Sequence, residues 1–133
     1  MGDFVTDTHA LIWYLEDSER LGAKASAVFD ACDQGDCVIY IPTICLVEIV
    51  YLNEKGKIPT HLKQTLDDAL AEDRVGLVPM PLTNEIVNTL PHIPRSVVPD
   101  MPDRIIAATA FYLGLPLLTR DSQIQQSGLH TIW

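Results

Sequence analysis

The chain has 133 residues, 47% of them hydrophobic, with 18 acidic side chains against 9 Lys and Arg and a net charge of −9. That size suits one compact domain, residues 1–133, with a real core and little room for a second. The acidic balance excludes broad electrostatic adhesion to nucleic acid. No apolar run approaches the roughly 20 residues of a membrane span, and Met1-Gly-Asp-Phe4 lacks the basic and apolar stretches of a signal peptide, so a soluble, cytoplasmic protein is expected.

In chain order, Asp3 to Thr6 reads as a short strand ending at Asp7, and Thr8 to Glu16 as a helix presenting Ala10, Leu11, Tyr14 and Leu15 on one face. A polar break, Asp17 to Arg20, precedes a second helix from Gly22 to Ala31. Cys37-Val-Ile-Tyr-Ile41 is the most strand-like run; Pro42-Thr43 closes it and opens a helix that continues through Glu48 to about Asn53. Thr60 to Asp73 is an amphipathic helix whose acids, Asp67, Asp68, Glu72 and Asp73, form a solvated face, and Val75 to Met80 is a strand bounded by prolines. Leu82 to Leu90 is a helix ended by Pro91 and Pro94, and His92 to Pro102 is the longest irregular stretch. The helix that follows, Asp103 or Arg104 to Leu113, stops at Gly114. Leu115 to Thr119 and His130 to Trp133 complete five strands. Strands alternating with helices predict an α/β fold with a mainly parallel sheet. Cys32, Cys37 and Cys45 form no CxxC pair, which fits buried free thiols in a reducing compartment.

Four carboxylates stand against an apolar background. Asp7 falls where the first strand ends, the edge at which open parallel sheets place ligands, although an Asp before Thr8 also suits a helix N-cap. Glu48 is the single acid of Ile44 to Leu52, and its helical neighbours Ile44, Cys45, Tyr51 and Leu52 offer no partner. An unpaired acid in a core helix takes up a proton or requires a cation from elsewhere in the fold; a Glu reaching solvent from the helix edge is the structural alternative. Asp103 follows Pro102 in the first turn of its helix, where the positive helix end favours a carboxylate. Asp100 faces the same site or caps this helix, capping being the simpler role. Asp121 follows a strand as Asp7 does, with the Thr119 hydroxyl at the same edge. Arg104 is the nearest counter-charge for Asp100 or Asp103, while Arg120 is expected to point to solvent. His9 reads as a capping or packing side chain.

Hard oxygen donors without matched His or Cys suit Mg²⁺, or Mn²⁺, and the four histidines, His9, His61, His92 and His130, show no ligand spacing. Such a centre suits phosphodiester hydrolysis, with Asp7, Glu48, Asp103 and Asp121 as both metal ligands and catalytic acids. Thr8, Asp100, Arg104 and Thr119 are supporting candidates.

The ordered motifs Asp7-Thr-His-Ala-Leu-Ile-Trp-Tyr-Leu15, Glu48-Ile49, Asp100-Met-Pro-Asp-Arg-Ile-Ile-Ala-Ala-Thr-Ala110 and Leu117-Leu-Thr-Arg-Asp121 resemble those of PIN-domain nucleases, in particular VapC-like toxins of toxin–antitoxin pairs. The resemblance runs to Thr131-Ile-Trp133. It implies a three-layer α/β/α domain with a mainly parallel five-stranded sheet, an acidic Mg²⁺ site, ribonuclease activity, a homodimer and a small antitoxin partner. It places the family's acids on Asp7, Glu48, Asp103 and Asp121, with Asp7 and Asp103 as the direct metal ligands. Asp100-Met-Pro102 departs from the family's Asp-Pro, and Pro42 and Cys45 replace serines ahead of the Glu.

Two other readings remain at this level. A receiver-like signalling domain is also a small α/β protein with acids at strand ends, but it requires adjacent acids after the first strand and a late Lys; here the strand ends in Asp7-Thr8-His9 and no Lys follows Lys63. A catalytically inactive PIN-fold module binding RNA or protein is the second. Any RNA contact must come from a few cations such as Lys55, Lys57, Arg95, Arg104 and Arg120, or from a dimer groove.

Overall fold

Five short parallel strands form the centre of the computed structural model, which describes residues 2–71 and 76–133. They are β1 (Phe4–Thr6), β2 (Ile39–Pro42), β3 (Leu77–Met80), β4 (Leu117–Leu118) and β5 (Thr131–Ile132), in the spatial order β3-β2-β1-β4-β5. Every pairing is parallel, with Val5 opposite Tyr40 on one side and Leu117 on the other. Parallel sheets are covered on both faces, and the strand residues Val5, Ile39, Ile41, Leu117 and Leu118 are accordingly excluded from solvent.

The helices are α1 (Thr8–Leu15), α2 (Ala23–Asp33), α3 (Thr43–Glu54), α4 (Thr60–Ala71), α5 (Asn84–Thr89), α6 (Met101–Leu113) and α7 (Ser122–Gln125). A 3-10 turn at Leu90–His92 extends α5. Right-handed crossovers put α1 to α4 over the steps from β1 to β2 to β3 on one face, and α5 to α7 over the reverse steps on the other, giving three layers. The β1 to β4 boundary, where the chain direction reverses, is the switch point at which such folds open a crevice. This order differs from the 2-1-3-4-5 order of receiver-type folds, so the receiver reading fails on topology.

Most element boundaries fall within two residues of the sequence reading. The expected helix end at Glu72-Asp73 and strand start at Val75 lie outside the described residues. Two differences concern the site. Helix α6 starts at Met101, before the expected Asp103, because Asp100 takes the N-cap: its Oδ2 accepts from Asp103 N–H at 3.1 Å. Gly114 ends α6 in the left-handed conformation (φ 67°), as expected. The short α7 was not anticipated; Asp121 nucleates it by accepting from Ile124 N–H at 2.9 Å.

Helix α3 also departs from its expected core position. Cys45 and Ile49 are buried, but Val47, Val50 and Tyr51 are 48%, 37% and 58% exposed. Hydrophobicity around nearly the whole helix concealed which face meets the core.

The far edge of the sheet is tied to α2. The Trp133 carbonyl accepts from Lys24 and Ala25 N–H at 3.0 and 3.3 Å, satisfying donors at the start of that helix. This close approach requires Gly22, since a Cβ there would lie 2.6 Å from the Trp133 backbone. Gly22→Ala is therefore expected to destabilise the protein by about 1–3 kcal/mol through overpacking. Urea unfolding measures this, and an unchanged midpoint would show that the contact is dispensable.

Candidate active site

The order of the strands determines which acids can meet. Asp7 leaves β1 and its N–H bonds the Leu118 carbonyl at 3.1 Å, so the ends of β1 and β4 are level. Thr119, fully buried at the end of β4, joins the two acids: its side chain hydrogen-bonds Asp7, and its hydroxyl oxygen accepts the Asp121 N–H at 3.0 Å. Asp103 enters from the first turn of α6, on the opposite side of the crevice mouth. Asp7, Asp103 and Asp121 line one cleft of about 270 Å³ with His9, Trp13, Arg120 and Trp133.

The capping alternatives proved structurally correct for Asp7, Asp100 and Asp121. Asp7 Oδ1 accepts from Ala10 N–H at 2.8 Å and Asp121 Oδ1 from Ile124 N–H. Each cap uses one carboxylate oxygen. Capping therefore fixes the side chain's direction and leaves acceptor capacity for a ligand.

Glu48 is absent from the cleft lining and is half-buried. The expectation that it lacks a partner is corrected by a contact forty residues distant in sequence: Thr8 Oγ1 donates to Glu48 Oε1 at 2.5 Å. Thr8 adjoins Asp7, so this bond ties α3 to the start of α1. Cys45 is buried, with its thiol 3.8 Å from the Thr6 carbonyl. Burial pushes the thiols of Cys45, Cys37 and Cys32 upward, Cys32 to about 11, and all three are free.

Electrostatics sets this cluster apart. Burial raises the Asp7 pKa against the lowering effects of Thr119, the Ala10 N–H and His9. Asp103 is raised to about 7, first by burial and then by Asp100, Asp121, Glu48 and Asp7. Arg104 does not relieve this repulsion, contrary to expectation: its Nε and a terminal nitrogen donate to the Ile93 and Leu90 carbonyls at 2.8 and 3.0 Å. Among the described residues the one ion pair is Lys63–Asp67, on α4.

Oxygen donors in mutual repulsion, without a countering ion pair, form a set suited to a hard divalent cation. Among the described residues, no three Asp, Glu, His or Cys side chains lie grouped closely enough to hold a metal ion as they stand; Asp7, Asp103 and Asp121 share one open cleft. A larger pocket of about 610 Å³, lined by residues of α1, α2 and β3 and by Thr65 and Ala69 of α4, has Asp33 as the one acid on its wall among the described residues.

Four lining residues, His9, Trp13, Arg120 and Trp133, had not been assigned to the site. Arg120, expected in solvent, lies with its guanidinium carbon 4.4 Å from the Trp13 ring centroid. Trp13 lies beyond the first turn of the helix that Asp7 opens, and Trp133 follows directly on the pairing of Leu118 with Ile132. Once β5 is placed beside β4, Trp133 falls level with Thr119; that pairing is the signal sequence reading lacked.

A doubly wound parallel sheet with acids from three elements converging at its switch point defines the class: an α/β domain with an acidic crevice site. The sequence profile of the PIN domain matches residues 4–128, and the chain belongs to the PIN domain family. No curated protein sequence matches it. Among solved structures it is similar to VapBC2 from Rickettsia felis bound to a promoter DNA fragment, with 14% identity over 98% of this chain and 97% of that one and a TM-score of 0.73. DNA-bound VapBC from Salmonella typhimurium gives 17% identity, 99% and 98% coverage and a TM-score of 0.73. VapC20 from Mycobacterium tuberculosis, a Sarcin-Ricin loop cleaving toxin, gives 12% identity, 95% coverage of both chains and a TM-score of 0.64. These likenesses establish the three-layer fold.

The raised Asp103 pKa predicts a pH dependence. Its folded value of about 7 exceeds the ordinary 3.8, so its contribution to stability is complete below the lower value and is lost as pH rises through the upper one. In EDTA the protein is expected to lose stability across that window, and Asp103→Asn to flatten the loss. Urea midpoints on both sides of the window test this; an equally steep loss in the variant would remove Asp103 as its source.

Proposed function

We propose that this protein is a metal-dependent endoribonuclease, the toxin of a toxin–antitoxin pair, acting in the cytoplasm. The observation that carries the reading is the convergence of Asp7, Asp103 and Asp121 in one cleft at the switch point, each on its own element and each held by local hydrogen bonds or a helix start. Membership of the PIN domain family and similarity to the VapC20 toxin, named for cleaving the Sarcin-Ricin loop, support RNA as substrate.

In this reading Asp7, Asp103 and Asp121 hold Mg²⁺ or Mn²⁺, with Glu48 contributing from α3. A bound divalent cation supplies charge stabilisation for in-line attack on a phosphodiester. Thr119 fixes Asp7 and Asp121 in relation to each other, and Thr8 aims Glu48. Asp103, held above the ordinary carboxylate range by burial and by its acidic neighbours, would give up its proton as the cation enters and join Asp7 and Asp121 as a ligand. Asp100 serves by starting α6 and adding negative charge beside Asp103. Arg104 braces the turn before α6 through carbonyl bonds.

Partners are part of the proposal. Val47, Val50 and Tyr51 on α3, Val87 on α5, and Met101, Phe111 and Tyr112 on α6 are exposed, and α6 packs against both of the other helices. Such apolar surface suits a homodimer contact or the docking of a small antitoxin, the partnership named for the VapBC complexes. No helix among the described residues is long and apolar enough to cross a membrane.

The purified protein is expected to cleave RNA with Mg²⁺ and to stop in EDTA. Asp7→Asn and Asp103→Asn, verified as folded by circular dichroism, are each expected to lose about a hundredfold in rate, the scale of losing one electrostatic stabiliser. Full cleavage by both variants would dismiss the assigned site. RNA binding without cleavage by the wild type would favour the inactive PIN-fold module.

A further inference from the structure

Among the described residues, Arg120 is the one Lys or Arg lining the acidic cleft. It stands between Thr119 and Asp121, at the point where β4 passes into α7. Its guanidinium carbon lies 4.4 Å from the Trp13 centroid, and Trp13 is itself buried, with Trp133 edge-on at 5.7 Å and the His9 ring at 5.5 Å. Although Asp7, Asp103 and Asp121 share its cleft, Arg120 makes no ion pair among the described residues. Charge neutralisation of the acids by direct pairing is therefore not its use of the position.

A guanidinium that interacts with an aromatic ring through its charge keeps a planar fork of donors able to bond two oxygens at once. That fork matches a phosphate. Of the other candidate cations, Arg104 donates to the Leu90 and Ile93 carbonyls, Lys55 lies 5.9 Å from the Tyr51 centroid on α3, and Lys57 and Arg95 are not among the residues lining the cleft. We propose that Arg120, supported by Trp13, is the phosphate-binding residue of the cleft, seating a backbone phosphate of RNA beside the three acids. The proposal rests on the nuclease reading and deepens it by naming how an acidic site retains a polyanion.

The test uses a short fluorescein-labelled single-stranded oligoribonucleotide, with anisotropy recorded over a salt series in Mg²⁺. The host is the Asp103→Asn protein, so that cleavage does not intervene, and steady-state cleavage is measured in parallel in the otherwise wild-type chain. Arg120→Ala is expected to weaken binding and raise KM roughly tenfold. It should also make the logarithmic salt slope shallower by about 0.7, the loss of one single-strand phosphate contact. Arg120→Lys should keep the slope, because it keeps the charge, while recovering part of the affinity. Lys63→Ala, an equal charge loss on α4 at a residue outside the cleft lining and paired with Asp67, should leave slope and KM unchanged.

Cleavage by the wild type with KM and slope unaltered in Arg120→Ala would overturn this inference and leave the nuclease reading intact. An equal effect from Lys63→Ala would reduce Arg120 to bulk charge and overturn it as well. A wild type that neither binds nor cleaves RNA would remove both.

Discussion

Parallel pairing of β1 with β4 is the contact on which the site depends. It carries two chain segments more than a hundred residues apart to one edge, with Val5 opposite Leu117 and Thr6 opposite Leu118. Thr119 then falls beside Asp7, and one buried hydroxyl both donates to that carboxylate and accepts the N–H of Asp121. A slip of one residue would reverse the facing of the β4 side chains, directing Thr119 away from Asp7 and disrupting the core formed by Leu117 and Leu118. Core packing and site geometry thus select the same register.

The constraint has an energetic cost that the surrounding fold bears. Asp7 is 8% exposed, and Asp103 feels four other acids. Neither has a cationic partner in a direct ion pair among the described residues. Hydrophobic burial on both faces of the sheet, from Leu11, Ile39, Ile41 and Ile49 on α1, β2 and α3 to Ile86 and Ile106 on α5 and α6, supplies the opposing stability. A cluster held together against its own repulsion would gain stability from a cation that entered it, which would couple ion binding to folding.

The alternation of strands and helices made the fold legible in the sequence, and the position of Asp7 and Asp121 after strands made half of the site legible. Glu48 was singled out because its own helix lacked a partner, yet its partner Thr8 is distant in sequence and became visible only in three dimensions. The α3 face was misjudged for a related reason: apolar residues destined for core and for surface alternate there without a polar stripe to mark the boundary. Arg104 does not take the counter-charge role expected of it, and Arg120, exposed as expected, lies against Trp13. Local spacing placed Arg104 beside acids, but the turn before α6 left two carbonyls needing donors; Arg120 follows a strand end, and only the placement of Trp13 shows which way it turns. Charge position along a chain does not determine direction, and direction decides both cases.

A net charge of −9 is compatible with RNA as substrate when charge is considered at the scale of the cleft. Beyond a screening length of about 8–10 Å at physiological salt, the acids of α4 contribute little to the potential a phosphate meets at the crevice. Within that distance the balance depends on a divalent ion among the carboxylates and on one guanidinium standing beside them. The acids would then repel RNA until an ion is bound, making substrate retention itself metal-dependent. On the nuclease reading, an ion-free molecule of this composition would have little means of holding a polyanion, and the carboxylates would admit RNA only once a cation had entered among them.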